Sequence, residues 1–204
     1  MRNYIDLRSI YDVENKFGDF NICINEKNII ATDVIRDFYK LSNSLQKDYT
    51  FVLKKISTDE IIMTDDEIEL LSNKWFLDNA SGDILILGLG FGLIVFPLLK
   101  DDTINSITII EREQDIIDYV GDKIKNLDIK NKVRIKNGNA YNYHKTKSEH
   151  GNYDYVYIDF WHKLDKSAIA DMKEMLTTYK PFLKNEKSVL KCWGYDLKDL
   201  YMLD

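Results

Sequence analysis

The chain has 204 residues, of which 45% are hydrophobic and 30% are charged, a composition typical of one globular domain with a single core. Its formal net charge is -6, with Lys and Arg scattered among Asp and Glu. This pattern disfavours nucleic acid as a partner and favours a small-molecule substrate. No stretch approaches the ~18 apolar residues of a membrane span, and residues 1–17 are charged from the start. We therefore expect a cytoplasmic protein with no membrane partner. The sequence is compatible with a homo-oligomer and does not decide the oligomeric state.

The cysteines and histidines indicate no metal or redox site. Cys23 and Cys192 lie far apart and match no known ligand spacing. The histidines His144, His150 and His162 form no metal-ligand spacing with cysteines or carboxylates. We expect reduced, buried thiols and no metal.

Residues 1–64 are predicted to form an N-terminal extension. Val34, Phe38 and Leu41 recur at helical spacing and predict one short amphipathic helix. Residues 50–55 and 60–63 read as two strands, and the polar turn 57–59 between them completes a predicted β-hairpin.

A helix is predicted to begin at Asp65. Thr64 and Glu67 have the spacing of a capping box, with a hydroxyl at the cap and a carboxylate three residues later. The apolar residues that follow at helical spacing are predicted to share one buried face; they are Ile68, Leu71 and Trp75.

From residue 83 onward, short β-branched runs alternate with helical patterns, as in βαβ units. Most of the predicted strands are continuous apolar runs, as in strands covered on both faces; they are residues 83–87, 106–111, 132–135, 153–159 and 188–193. Two apolar sets at helical spacing predict helices that cover the sheet; they are Ile116, Ile117, Val120 and Ile124, and Ile169, Met172, Leu176 and Tyr179. The predicted fold of residues 65–204 is α/β and Rossmann-like, a mostly parallel sheet flanked by helices, with the small hairpin and helix extension before it.

The strongest motif is DILILGLGFGLIVFPLL, in which an apolar strand runs into three glycines and then into a predicted apolar helix. Gly88, Gly90 and Gly92 allow a tight turn and the close approach of a ligand to the backbone. A dinucleotide loop has Gly or Ala at the sixth position from Gly88, where this chain has Leu93. The third glycine of this chain, Gly92, comes one residue before that sixth position. This spacing favours S-adenosylmethionine (SAM) over a nicotinamide cofactor.

Three further polar residues end predicted strands at the same edge of the sheet. Glu111 lies 23 residues after Gly88, where a ribose-binding acid is expected, although a solvated acid at a strand end is the alternative. Asn139 can accept a hydrogen bond from an adenine amino group, or it is a turn residue only. Asp159 ends the fourth strand, where catalytic groups of open α/β sheets collect. Asp154 starts that strand at the opposite edge and is interpreted as structural.

Two aromatic residues follow Asp159. Phe160 and Trp161 are placed either to stack on a substrate or to pack against the core. The sequence does not decide between these two roles.

With these motifs in order, residues 50–193 resemble the class I SAM-dependent methyltransferase superfamily, and within it the spermidine synthase-like branch. The hairpin with the following segment 61–67 and the strand YDYVYID carry the resemblance to the branch. The resemblance implies that the three glycines contact the cofactor, that Glu111 holds its ribose, that Asn139 and Ala140 face adenine, and that Asp159 works near the sulfonium.

The chain departs from the polyamine synthases at three places. Ile62 replaces a glutamine, Asn139 replaces an aspartate, and His162 replaces the second amine-binding aspartate of an Asp-Ser-Thr-Asp-Pro run. A diamine is doubly cationic, and a desolvated ammonium without a paired carboxylate is costly to hold.

We therefore expect a SAM-dependent methyltransferase in which Asp159 orients the acceptor or acts as general base. Two alternatives remain, an aminopropyltransferase and a module that binds SAM without turnover. The sequence ends at Asp204, soon after the fifth strand, so we expect the substrate side to be built by the N-terminal segment or by a partner subunit.

Overall fold

A computed structural model describes residues 2–25 and 49–197. The helix predicted around Phe38 lies outside these residues. The described N-terminal part forms a four-stranded antiparallel sheet in which neighbours in sequence are neighbours in space. Its strands are β1 (Glu14–Phe17), β2 (Phe20–Asn25), β3 (Thr50–Lys55) and β4 (Glu60–Thr64). Strands β3 and β4 form the predicted hairpin, and the turn residue Asp59 has a φ of 53°.

The second sheet has five strands, all parallel, in the order β7-β6-β5-β8-β9. The strands are β5 (Gly82–Leu87), β6 (Ile104–Glu111), β7 (Val133–Asn137), β8 (Tyr155–Ile158) and β9 (Val189–Cys192). Each predicted strand is present, and the Rossmann-like α/β fold is confirmed. The chain proceeds outward from β5 through β6 to β7 and then returns to β8 on the other side of β5. The crevice at the carboxyl ends of β5 and β8 is therefore the topological switch point, where ligands of open α/β sheets bind.

The described helices of four or more residues are α1 (Glu67–Asn79), α2 (Gln114–Leu127), α3 (Ala140–Tyr143) and α4 (Lys166–Thr178). The predicted apolar faces of α2 and α4 are buried, with Val120 and Met172 fully covered. None of the helices in the described part of the chain is long and apolar enough to cross a membrane. Cys192 is buried and Cys23 is partly buried, and both are free thiols.

Helix α1 begins two residues later than predicted. Asp65 cannot start the helix because its buried carboxylate accepts the Phe51 N–H at 2.7 Å, which ties it to the N-terminal sheet. Asp66 is the N-cap instead, since its carboxylate accepts the Glu69 N–H at 3.0 Å. Trp75 does not lie on the buried face, which Leu70, Leu71 and Leu77 form instead. Its side chain is 40% exposed, with the Lys191 ammonium 3.7 Å from the ring centroid.

The apolar helix predicted directly after the glycines is wrong. The chain there makes successive turns that end in a 3-10 turn at Phe96–Leu98. Pro97 provides the physical reason, because a proline inside a helix has no N–H to donate and its ring collides with the carbonyl four residues earlier. The segment is nonetheless apolar because its side chains, among them Phe91 and Val95, are buried in the core.

Candidate functional site

The carboxyl edge of the parallel sheet borders an open cavity of about 1010 Å³. Strand β4 and the start of α1 line the facing side, so the N-terminal sheet helps to enclose it. Six of the seven residues predicted for the site line this cavity: Gly88, Gly90, Glu111, Asn139, Ala140 and Asp159. The seventh, Gly92, is not part of the described lining. The structure therefore brings most of the predicted residues together around one space.

The glycines of the loop are needed by contacts within the protein. Gly88 has a φ of +103°, and a β-carbon there would collide with the backbone carbonyl oxygen of Asp159. This close approach joins the ends of β5 and β8. Gly90, with a φ of +53°, lies against the sulfur of Met63 in the same way. Glycine is therefore required at these positions by the packing of the loop itself, in addition to the room that a ligand would need.

Glu111 is a buried hydrogen-bond acceptor, which removes the alternative of a solvated acid. One carboxylate oxygen accepts the Leu89 N–H at 2.9 Å, and the other accepts the N–H groups of Arg112 at 2.7 Å and Glu113 at 2.9 Å. The side chain thereby links the end of β6 to the glycine loop. A carboxylate has about four acceptor positions, so one position remains for a hydroxyl of a ligand.

Asn139 caps the short helix α3. Its side-chain oxygen accepts the Tyr141 N–H at 2.9 Å, and the residue is exposed at the cavity wall. The turn role considered from the sequence is therefore present. The oxygen keeps a second lone pair, and the contact with adenine stays a prediction.

Asp159 lies where β8 ends, with its backbone N–H bonded to Leu87 of β5 at 2.8 Å. Its carboxylate lines the cavity and accepts no hydrogen bond from the residues that the structure describes. Burial raises the pKa of Asp159 to about 7, because a low-dielectric environment disfavours the charged form. A carboxylate of this basicity suits proton transfer near neutral pH. Asp154, at the other end of the strand, accepts the Asp83 N–H at 2.9 Å and is structural, as predicted.

The sequence missed Glu69, the second carboxyl beside Asp159. Glu69 lies in the first turn of α1 and lines the cavity. Burial, followed by the charges of Asp159 and Asp66, raises its pKa well above the usual range. The capping signal was available, since Glu69 stands three residues after the true cap, Asp66. Placing the cap at Thr64 assigned the capping role to Glu67 and left Glu69 unnoticed.

An aromatic wall closes the cavity on the side of α4. The rings of Phe160 and Trp161 stack with their centroids 4.2 Å apart, and Tyr141 tilts against Phe160 at 5.0 Å. The Trp161 ring N–H donates to Asp171 at 2.9 Å, and the Tyr141 hydroxyl donates to the same oxygen. Phe160 and Trp161 both pack against the core and line the cavity, so the two roles considered for them are compatible.

The cavity lining is predominantly acidic. Eight of its described residues are Asp or Glu and three are Lys or Arg. The Nδ1 atom of His162 lies 3.5 Å from the exposed carboxylate of Glu60. The described residues hold no group of three or more His, Cys, Asp or Glu placed to bind a metal. The lining is complementary to a ligand with positive charge.

The strand order, the glycine loop and the acid at the end of β6 define the class I SAM-dependent methyltransferase fold. The family model of the spermine/spermidine synthase domain matches residues 69–194. The chain belongs to this family. A search of curated protein sequences found no significant match.

Three solved structures are similar to parts of this chain. Spermidine synthase from Thermotoga maritima is 17% identical with a TM-score of 0.50, and the match covers 84% of this chain and 54% of that one. A proposed caffeoyl-CoA O-methyltransferase from Staphylococcus aureus is 22% identical with a TM-score of 0.45, covering 78% and 64%. TYW2 from M. jannaschii, solved with AdoMet, is 17% identical with a TM-score of 0.46, covering 65% and 55%. The chain thus spans between 54% and 64% of the length of these proteins.

Proposed function

We propose that the protein is a SAM-dependent transferase and that the transferred group is methyl. The observation that carries the proposal is the position of the Asp159 carboxylate, which meets the glycine loop and Glu111 in one cavity without a hydrogen-bond partner among the described residues.

The residues present fit SAM. Glu111 keeps one acceptor position for a ribose hydroxyl, and Gly88 and Gly90 expose backbone beside it. The acidic lining complements a positively charged sulfonium. The cavity volume is also at the upper end of the roughly 300–1,000 Å³ typical of small-molecule sites.

SAM supplies an electrophilic carbon bound to a positively charged sulfur, and the chain supplies position and a proton acceptor. Asp159 takes the proton of the acceptor's nucleophilic atom. The bond from that atom to hydrogen breaks, a bond from hydrogen to an Asp159 oxygen forms, and the electron pair stays on the acceptor. With a pKa of about 7, Asp159 is ionised in a large fraction of molecules at neutral pH and is still basic enough to accept the proton. Holding the two reactants in one cavity provides the remaining acceleration.

Methyl is favoured over aminopropyl by two residues of the cavity. Ile62 and His162 line it where the resembling polyamine synthases place a glutamine and an amine-binding aspartate. Stabilisation of a transition state that contains a second ammonium group is therefore expected to be poor.

Aminopropyl transfer is the second candidate. The family match favours it. Glu69 favours it too, because it supplies a second carboxyl near Asp159, whereas His162 stands where the polyamine synthases have theirs.

The first experiment tests the cofactor. Isothermal calorimetry with SAM and with NADH, in parallel with thermal unfolding, is expected to show binding and stabilisation by SAM alone. A ligand at 100 times its Kd stabilises the folded state by about 2.7 kcal/mol. Binding of NADH without any binding of SAM would contradict the cofactor assignment.

The second experiment identifies the bond to sulfur that breaks. The protein is incubated with SAM and cell extract as the source of acceptor, and separately with decarboxylated SAM and putrescine, and the nucleoside product is identified by chromatography. We expect S-adenosylhomocysteine from the first mixture, and none with Asp159→Asn as the control. Methylthioadenosine from the second mixture supports aminopropyl transfer instead, and unchanged SAM supports a binding module.

A further inference from the structure

The aromatic wall, formed by Tyr141, Phe160 and Trp161, adjoins the residues proposed for the chemistry. Phe160 directly follows Asp159 in the chain, so the α-carbons of these two residues are about 3.8 Å apart. A β-carbon added to Gly88 would lie 3.4 Å from the β-carbon of Phe160. The wall therefore begins where the glycine loop meets the end of β8, at the residue that follows the proposed proton acceptor.

Hydrogen bonds to one carboxylate fix two members of the wall. The Oδ2 atom of Asp171 accepts the Trp161 ring N–H at 2.9 Å and also accepts the Tyr141 hydroxyl. Phe160 contacts both rings, with its centroid 4.2 Å from that of Trp161 and 5.0 Å from that of Tyr141. Tyr141 is nevertheless 41% exposed, and all three residues line the cavity. The wall is thus a preformed aromatic surface that is open to a ligand.

The acidic side chains of the cavity are almost all engaged within the protein. Besides Asp171, six of them accept hydrogen bonds from described residues or pair with a basic side chain; they are Glu60, Asp66, Glu69, Glu111, Glu113 and Asp165. Asp159 has no such partner within the described part of the chain. A doubly cationic acceptor would bring two ammonium groups, in addition to the SAM sulfonium, to one unpartnered carboxylate, which is costly away from water. The lining therefore favours an acceptor that binds uncharged.

We propose that the aromatic wall is the acceptor subsite and that the acceptor is a flat aromatic molecule with a hydroxyl on its ring. The inference rests on the proposed function. Aromatic rings associate by offset stacking or by edge-to-face contact, and the preformed wall offers both next to Asp159. An aromatic hydroxyl is uncharged when it binds and ionises near pH ~10, so Asp159 can take its proton as the transfer begins.

The proposed step transfers methyl to the oxygen of the ring hydroxyl. The O–H bond breaks and the proton passes to an Asp159 oxygen, while an electron pair of the hydroxyl oxygen forms a bond to the methyl carbon. The bond from that carbon to sulfur breaks, and its electron pair stays on sulfur. The products are an aryl methyl ether and S-adenosylhomocysteine, and the proton then leaves Asp159 for solvent.

The test is the binding of two matched probes, 2-naphthol and decahydro-2-naphthol, to the full chain by isothermal calorimetry. The probes share one carbon skeleton and one hydroxyl, but only 2-naphthol is flat and aromatic. Each probe is titrated with and without saturating S-adenosylhomocysteine, which occupies the cofactor side of the cavity. We expect 2-naphthol to bind about tenfold more tightly than decahydro-2-naphthol in both series. Equal affinities overturn the inference. Loss of 2-naphthol binding in the presence of S-adenosylhomocysteine also overturns it, because the wall would then hold adenine.

Two tryptophan variants locate the bound probe. Trp161→Leu removes one ring of the wall and should weaken 2-naphthol about tenfold, with the affinity for decahydro-2-naphthol unchanged. Trp75→Leu is the matched control, since Trp75 is 40% exposed on α1 and lies outside the described lining of the cavity; it should leave both affinities unchanged. Tyr141→Leu, at the exposed side of the wall, provides the same test if Trp161→Leu does not fold. Equal losses for both probes, or no loss for either, would contradict the proposed subsite.

SAM binding separates this inference from the function on which it rests. If 2-naphthol binds selectively and wild-type protein binds neither SAM nor S-adenosylhomocysteine, the proposed function fails and the aromatic subsite stands as a binding site. If wild-type protein forms S-adenosylhomocysteine with cell extract and the two probes bind equally, the proposed function stands and the aromatic acceptor is rejected.

Discussion

Glu111 has two tasks at the scale of single residues, because the carboxylate that is predicted to hold ribose also accepts three backbone N–H groups. Glu111→Ala is expected to weaken SAM binding by roughly 1.5–3 kcal/mol, the value of hydrogen bonds to a charged group. The same change leaves the buried Leu89 N–H without its partner, so it should also lower the free energy of unfolding by about 1–3 kcal/mol. Calorimetry with SAM and urea unfolding measure the two effects.

The neighbouring acid provides the control for this variant. Glu113 lines the same cavity and pairs with Lys55 at 3.4 Å, in a partly exposed ion pair of small energetic value. Glu113→Ala should therefore bind SAM nearly as wild type does. Wild-type affinity in Glu111→Ala would rule out the ribose role.

The strands of the parallel sheet and the helices that cover it were predicted well, whereas β2 was not, although its Phe20 and Ile22 are buried in the core. The five strands of the parallel sheet were found because apolar runs report burial directly, and α2 was found because Ile116, Val120 and Ile124 repeat at helical spacing. The two errors in helix placement have causes that periodicity alone does not weigh, one local and one a tertiary contact. Pro97 prevents the helix after the glycines, and a tertiary bond between Asp65 and the Phe51 N–H displaces the start of α1.

The error at the start of α1 carried over to the site. A cap placed at Thr64 makes Glu67 the capping carboxylate and draws no attention to Glu69, which stands three residues after the true cap, so Glu69 was not predicted. Asp159 and Glu111 were predicted because each ends a strand, and the ends of parallel strands meet at one edge irrespective of helix register. Site residues at strand ends could thus be predicted from the sequence. Glu69, which lies on a helix, could be noticed only with the correct N-cap of α1.

At the scale of the whole molecule, the N-terminal part contacts the glycine loop through hydrogen bonds between residues far apart in sequence, which local sequence patterns do not predict. Strands β1 and β2 were not predicted, and the segment that precedes them reaches the glycine loop. The Tyr11 hydroxyl donates to the Phe91 carbonyl at 2.8 Å, across 80 residues of sequence. The N–H of Phe91 in turn lies 3.3 Å from the Met63 sulfur of β4. Both backbone polar groups of Phe91 are therefore held by the N-terminal part of the chain.

This contact predicts that the N-terminal part stabilises the glycine loop in its binding conformation. Tyr11 is 3% exposed, and its ring packs against Phe51, Phe96 and Tyr119. Tyr11→Phe keeps this packing and removes only the hydroxyl, which leaves the Phe91 carbonyl without its donor. We expect the free energy of unfolding to fall by about 1–3 kcal/mol and the Kd for SAM to rise several-fold, because the loop loses one of its two hydrogen bonds to the N-terminal part of the chain.

Tyr4→Phe is the matched control, since the Tyr4 hydroxyl donates at 2.6 Å to the Leu70 carbonyl in α1 and not to the loop. It should reduce stability by a similar amount and leave the affinity for SAM unchanged. Urea unfolding and calorimetry on both variants separate general destabilisation from a specific effect on the loop. Equal SAM affinities for Tyr11→Phe, Tyr4→Phe and wild type would show that this contact of the N-terminal segment contributes to folding alone. A selective loss in Tyr11→Phe would show that the segment before β1 supports the binding site through the backbone of Phe91.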